Sequence, residues 1–270
     1  MSSQQCTSSF RLMTYNIRCD TIFDGKNQWH RRKNRVINLI RHYSPDLLGV
    51  QEPVPQQMTD LQTELSNYGS YGVGRNDGRD SGEFCSIFYR HDRFELNDKG
   101  TFWLSEGPDT PGTKGWDAVF PRICSWVKLK DRLTNKEIYY FNTHFDHEGR
   151  IARQQSARLI LARIEQIAGP STPTILTGDF NSGPESDAYR TIIANTNIQD
   201  AKLSTESPHS GPHGTWCTFD VKHGIGDRID YIFITSSHFK VLKHAHLTDS
   251  ENKVYPSDHL PVLAELDYKN

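Results

Sequence analysis

Four apolar runs, each too short for a helix and each with a polar functional group at one end, constrain this chain most. They are residues 47–50 ahead of Gln51 and Glu52, 138–141 ahead of Asn142 and His144, 174–176 ahead of Asp179 and Asn181, and 231–234 behind Asp230. Short apolar runs bounded in this way read as buried strands. Gly178 is expected to turn the backbone so that Asp179 and Asn181, two residues apart, project from one rim. Strands that bring carboxylates and imidazoles to one sheet edge make a site.

Around these runs the pattern switches between helix and strand. Residues 10–15 alternate in polarity as a first strand that ends at Asn16. Residues 30–43 place Val36, Ile37, Ile40 and Tyr43 on one helical face, and Ser44 and Pro45 stop the helix. A second helix is expected over 56–65. Between 71 and 132 the turn residues predict a meander, with strands at 71–73, 84–89, 94–96, 101–104 and 123–129. Residues 151–168 give the clearest helix, with Ala157, Ile160, Ile164 and Ile167 inward and Gly169 and Pro170 at its end. A helix over 186–194, a Ser/Pro/His/Gly loop over 204–214, and strands over 228–234, 240–245 and 260–266 complete the chain.

A chain of 270 residues buries one large core, so a single domain over 10–268 is expected behind a flexible polar lead at 1–9. The formal net charge of -2 provides no broad positive field for duplex nucleic acid or an anionic membrane. No apolar window is long enough to span a bilayer, and the lead has no hydrophobic signal core. The expectation is a soluble monomer, cytoplasmic or nuclear, or secreted if a signal peptide has been trimmed. Five cysteines without CxxC spacing argue against a disulfide framework or a structural zinc site and suit buried thiols. His144 and His147 lack the helical HExxH context of a zinc protease. His209, His213, His223, His238, His244 and His246 are expected in solvent.

Six motifs then occur in order: Met13-Thr-Tyr-Asn16, Val50-Gln-Glu52, Asn142-Thr-His144, Gly178-Asp-Phe-Asn181, Arg228-Ile-Asp230-Tyr231 and Ser257-Asp-His259-Leu-Pro261. Together they resemble the endonuclease/exonuclease/phosphatase superfamily, over roughly residues 10–268. The resemblance implies an α/β fold like that of pancreatic-type deoxyribonucleases. In that four-layer sandwich, two mixed, mostly antiparallel sheets pack face to face with helices outside. It also implies an enzyme that hydrolyses phosphoric esters with Mg²⁺ or Mn²⁺.

The chemistry of the residues agrees. A phosphodiester is a poor electrophile, and its hydrolysis needs a hard cation, an aligned water and donors for the charge on the phosphorus oxygens. Glu52 and Asp258 are hard oxygen ligands suited to Mg²⁺ or Mn²⁺. By family likeness Glu52 is the principal ligand, with Asn16 beside it. The same likeness pairs Asp230 with His259 against the scissile phosphate and gives Asp179 the attacking water; whether Asp179 or His259 is the base stays open. Asn181 and His144 match positions that bind phosphate oxygens, and a protonated His144 would also assist the leaving group. Arg18 stands where the abasic-endonuclease branch carries an acid, which argues against a second metal there.

The substrate is less constrained. Trp103 and Trp116 flank a Gly/Pro-rich loop at 107–115, and either they cover the sheet or they form a stacking platform with Arg75 and Arg122 for anionic groups. Asp146 and His147 extend the site, unless His147 only caps the following helix. The motif from Gly74 through Glu83 and from Phe102 through Asp117 resembles a compact branch of the superfamily. The expected substrate is a small or single-stranded phosphodiester: nucleic acid, nucleotide or sugar-phosphate diester. A phosphomonoesterase on a sugar or inositol phosphate keeps every catalytic residue and is the alternative, followed by an inactive binding module.

Overall fold

Two parallel strand pairs, each closed by a crossover helix, fix where the polar strand ends meet. The computed structural model describes residues 8–269, so most of the expected lead, with Cys6, lies outside the described residues. In chain order the strands and α-helices are β1 (Phe10–Asn16), α1 (Trp29–Tyr43), β2 (Leu47–Gln51), α2 (Pro55–Glu64), β3 (Tyr68–Tyr71), β4 (Cys85–Arg90), β5 (Phe94–Trp103), β6 (Ile123–Asp131) and β7 (Glu137–His144). There follow α3 (Arg150–Ala168), β8 (Thr174–Asp179), α4 (Asp187–Ile193), β9 (Ile198–Asp200), the single turn α5 (Ala201–Ser204), β10 (Asp230–Thr235), β11 (Phe239–His246) and β12 (Val262–Tyr268). The strands form two six-stranded sheets, ordered β11-β12-β1-β2-β4-β3 and β5-β6-β7-β8-β10-β9.

Both sheets are antiparallel except at one pair each, β1 with β2 and β7 with β8. Parallel neighbours need a crossover, and α1 and α3 supply it. Each crossover therefore leaves two carboxyl-terminal strand ends side by side at one edge. Asn16 and Gln51 pair there in one sheet, and His144 and Asp179 in the other.

Side-chain alternation sorts the apolar residues into layers. Leu12, Ile87, Val127, Tyr140, Ile175, Ile232 and Val262 fill the space between the sheets. Met13, Tyr15, Leu48 and Val50 face the other way, beneath Val36, Ile37 and Ile40 of α1 and Met58 and Leu61 of α2. Phe141, Leu176, Tyr231 and Phe233 do the same beneath Ala157 and Ile160 of α3 and Ile192 of α4. The result is the four-layer sandwich expected from the motifs.

Just under the site the apolar inter-sheet layer gives way to a polar one. Gln51 Nε2 donates to Asn142 Oδ1 at 2.6 Å, Thr177 Oγ1 donates to the same oxygen at 3.1 Å, and Asn142 Nδ2 donates to the carbonyls of Val50 and Ser86. All three side chains are buried. Gln51 Oε1 is left without a partner, but the remaining buried bonds run from one sheet to the other and tie the two together beneath Glu52 and Asp179.

Several local expectations change. The strands expected at 94–96 and 101–104 are one strand, β5, whose register shifts between Leu96 and Asp98; the bulge breaks the alternation that would have revealed its length. The strand expected at 71–73 is β3, ending at Tyr71. Gly178 is not a turn residue: it lies inside β8 with φ of 150°, where a Cβ would strike the carbonyl oxygen of Thr143. Its lack of a side chain lets β7 and β8 approach. His244 and His246 are buried rather than solvated, because β11 turns both toward the loop that precedes Thr215. No helix among the described residues is long and apolar enough to cross a membrane. Cys85, Cys124 and Cys217 are buried free thiols, and Cys19 is half-buried.

Candidate active site

Asp179 lies at the centre of the strand ends. Its Oδ2 accepts from Asn16 Nδ2 at 2.9 Å and stands 3.4 Å from His144 Nε2 and 3.7 Å from His259 Nε2. Its Oδ1 accepts the backbone N–H of Asn181 at 2.8 Å. Asn181 itself has a left-handed backbone, φ 44°, a conformation asparagine tolerates better than most residues. Asn181 Nδ2 then reaches His144 Nε2 and the Phe145 carbonyl, both at 3.0 Å.

Asn16 Nδ2 also donates to Glu52 Oε1 at 2.9 Å, and Glu52 Oε2 accepts the N–H of Cys19 at 2.9 Å. Asn16 Oδ1 is taken by the N–H of Arg18. In this arrangement Asn16 spaces and orients two carboxylates, and its Oδ1, which accepts one bond, keeps a second lone pair. Glu52 has φ of 71°, which swings its side chain over the edge of β2. Ser257 Oγ donates to the Asn16 carbonyl at 2.8 Å and so docks the loop carrying Asp258 and His259 on β1.

Asp230 opens β10 directly opposite Asp179 in the antiparallel register. His259 Nδ1 lies 2.9 Å from Asp230 Oδ2, so Nδ1 carries the proton and Nε2 faces the cleft and Asp179. Behind the pair, Thr215 Oγ1 accepts the N–H groups of Ile229 and Asp230.

Burial and charge set the protonation states. Burial alone would lower the His259 pKa, but Asp230 and Asp179 outweigh it and raise it well above the usual histidine range. Burial, reinforced by the Asp230 charge, pushes Asp179 up to about 7. Burial, reinforced by the charges of Arg122 and Arg75, pushes His144 well below the ordinary value. These shifts favour a neutral His144 and a protonated His259.

The donor set fits a hard divalent cation. Glu52, Asp179 and His144 each place a ligand atom within 4.8 Å of the others, and Glu52 and Asp258 line the same cleft. Burial and the Glu52 charge push Glu83, across the cleft, up to about 7, and burial raises Asp258. Burial would raise Glu52 too, but the bonds from Asn16 and the Cys19 N–H hold it below its ordinary value, so a charged Glu52 lies beside acids that resist ionisation, a condition a cation relieves. Oxygen donors dominate, which suits Mg²⁺ or Mn²⁺. Arg18 closes this side with a bidentate pair to Asp24 and a 3.8 Å approach to Asp258.

The cleft has a volume of about 490 Å³ and is lined by Glu52, Glu83, Phe120, Arg122, His144, His147, Asp179, Asn181, Trp216, Asp258 and His259, among others. Arg122 is therefore in the site, close to Asp146 (3.5 Å) and His147 (3.1 Å). Trp103 is not: it is buried, with its indole N–H donated to the Arg75 carbonyl at 2.7 Å, which leaves no face for a ligand. Trp116 is half-buried and outside the cleft lining. Arg75 is buried behind Glu83, to which it donates at 2.5 Å. Asp146 is buried and accepts the N–H groups of Val119, Phe120, Glu148 and Gly149, so it clamps two loops to each other.

Three cleft residues carried no signal of their own in the sequence. Glu83 belongs to the compact-branch motif, but only its closeness to Glu52 and two arginines marks it. Phe120 stacks on His147 with centroids 5.8 Å apart and is 44% exposed; Trp216 is 45% exposed. The aromatic residues that line the cleft are therefore Phe120 and Trp216, not the tryptophans that flank the Gly/Pro loop.

A family model described as the endonuclease/exonuclease/phosphatase family matches residues 13–259. Among solved structures, an endonuclease/exonuclease/phosphatase from Bacteroides vulgatus is 40% identical, with a TM-score of 0.91 over 97% of this chain and 100% of that one. A mannosyl-6-phosphatase from Bacteroides thetaiotaomicron is 37% identical, with a TM-score of 0.91 over 95% of this chain and 99% of that one. Nocturnin of Xenopus laevis is 26% identical over 99% of this chain, which spans 74% of that protein and 42% of the Drosophila melanogaster protein of the same name.

Proposed function

The chain belongs to the endonuclease/exonuclease/phosphatase family, and we propose from that premise that it hydrolyses a small phosphoric ester with the help of a hard divalent cation. The observation that carries the reading is the placement of one carboxylate, Asp179, against Asn16, His144, Asn181 and His259 beside the Glu52 and Asp258 pair. Glu52 and Asp258 would hold the cation. When bound, Mg²⁺ or Mn²⁺ supplies Lewis-acid stabilisation of charge on the phosphoryl oxygens. Asn16 keeps Glu52 and Asp179 apart at fixed spacing.

Asp179, with its pKa near neutrality, takes the proton of the attacking water. His259, kept protonated by Asp230, donates Nε2–H to a phosphoryl oxygen as charge develops there. Asn181 adds a second donor, and neutral His144 holds the Asn181 amide in place. In this division of labour Asp179 is the base and His259 the donor.

For the substrate, a cleft of about 490 Å³ with two aromatic side chains and one buried arginine suits a small polar ligand. The 37% identity to a mannosyl-6-phosphatase supports a sugar phosphate monoester. The exposed Trp216, in a lining it shares with Phe120, favours a second reading, a small phosphodiester such as a nucleotide derivative, because an exposed indole suits stacking on a base. Rates on hexose 6-phosphates, an aryl phosphodiester, nucleotides, short single strands and duplex DNA separate them. The sugar monoesters are expected to give the highest kcat/KM with a shallow salt dependence. Preference for duplex DNA with a steep salt slope would overturn the small-substrate reading.

A further inference from the structure

Three histidines that the hydrolytic arrangement does not use converge behind it. His209 lies in the loop that follows α5, and His244 and His246 lie two apart on β11, 1% and 2% exposed. One nitrogen from each ring lies within 4.8 Å of one from each of the others. The ring centroids are 4.5 to 5.3 Å apart.

Hydrogen bonding decides which nitrogens keep a lone pair. His246 Nδ1 faces the carbonyls of Pro212 (2.8 Å) and Gly214 (3.0 Å), so Nδ1 carries the proton and Nε2 does not. His209 Nε2 faces the Pro212 carbonyl at 3.1 Å, so its lone pair is on Nδ1, and His244 Nδ1 donates to it at 2.9 Å. That leaves His244 Nε2 and His246 Nε2 buried without a partner. Two buried lone pairs without partners are costly. An imidazole that gives one N–H to a backbone carbonyl has its other nitrogen oriented as metal-ligating histidines do.

We propose that His209, His244 and His246 bind a transition-metal cation of the Zn²⁺ class at a site separate from the hydrolytic centre. Neutral imidazoles without a carboxylate suit Zn²⁺, Ni²⁺ or Cu²⁺ and not Mg²⁺. Ligation by all three rings releases His209 Nδ1 from the His244 Nδ1–H that it accepts, and the three nitrogens then leave the fourth tetrahedral position to a water. The neighbouring positive groups are engaged elsewhere: Arg228 forms a bidentate pair with Asp200 at 2.6 and 2.7 Å, and Lys202 Nζ donates to the His213 carbonyl. The bound cation staples the 205–214 loop to β11. That loop runs into Thr215, which supports Asp230, and Trp216, which bridges to His259 and lines the cleft. The site therefore braces one wall of the cleft.

The test is a Zn²⁺ titration of the chelator-treated, desalted 270-residue chain against a chromophoric chelator, with excess Mg²⁺ present to compete at the carboxylate centre. Wild-type protein is expected to take up one tight equivalent and gain melting temperature. Substituted Co²⁺ should show the absorption of a four-coordinate nitrogen site. His209→Ala, in a half-exposed loop position, is expected to weaken uptake by at least about tenfold and abolish the thermal shift while Glu52→Gln does neither. His246→Asn serves as the second ligand test wherever it folds. Unchanged uptake and thermal shift in His209→Ala, or their loss in Glu52→Gln, would overturn the proposal.

Discussion

His259 gives its Nδ1–H to Asp230 across 2.9 Å while its Nε2 lies 3.7 Å from Asp179. One imidazole thus sits between two carboxylates on adjacent, antiparallel strands, and the pairing of Asp230 with Asp179 makes the arrangement a property of the sheet. The carboxylates keep the ring charged against the cost of burial.

Asp230→Asn removes one of those charges and keeps the shape. Turnover is expected to fall on the order of 10²–10⁴, the range for loss of a general acid or base. The alkaline limb of the pH–rate profile should move to lower pH, because His259 then loses its proton more readily. A reduced rate with an unmoved limb would show that Asp230 acts only as scaffold.

Much of this site was legible in the sequence because it sits where regular strands end. Asn16, Glu52, His144, Asp179 and Asp230 each follow or open an apolar run, and a parallel pair with its crossover helix brings such ends together. Phe120, Glu83 and Trp216 belong to loops, whose paths depend on hydrogen bonds such as those of Asp146 that no periodicity encodes. Trp103 misled for a related reason: the bulge after Leu96 and the Arg75 carbonyl together place its ring inside. His244 and His246 sit on a strand whose polar face is covered by a loop without apolar residues, so burial there left no hydrophobic trace.

Asn181 combines a donor with a left-handed backbone, and two substitutions separate these features. Asn181→Ala and Asn181→Gly should both reduce turnover by roughly 10²–10³, the cost of one transition-state donor. Only the alanine carries the added strain of a positive φ. Thermal melting should therefore rank the glycine variant above the alanine variant. Equal rates for wild type and glycine variant would show that the amide does not contribute to catalysis.

Glu83 binds its proton more tightly in the fold, up to about 7, than its ordinary value of 4.5. The folded state then holds more protons than the unfolded state between those values, so this group's contribution to stability falls as pH rises through that window. In chelator, Glu83→Gln should melt close to wild type near pH 4.5 and gain on it as the pH approaches 8. Thermal melts across that range check the sign; a glutamine variant that loses ground with rising pH would show that the Arg75 and Arg122 pairs dominate.

The central claim is that the Glu52 and Asp258 pair turns this cleft into a cation-dependent phosphoester hydrolase. The most direct measurement is the hydrolysis rate of metal-stripped protein on a sugar 6-phosphate and an aryl phosphodiester during Mg²⁺ titration, for wild type and Glu52→Gln. No turnover is expected without Mg²⁺, with saturable recovery in wild type and a large rightward shift or loss of that recovery in the variant. Full activity after exhaustive stripping, or identical Mg²⁺ curves for the two proteins, would contradict it.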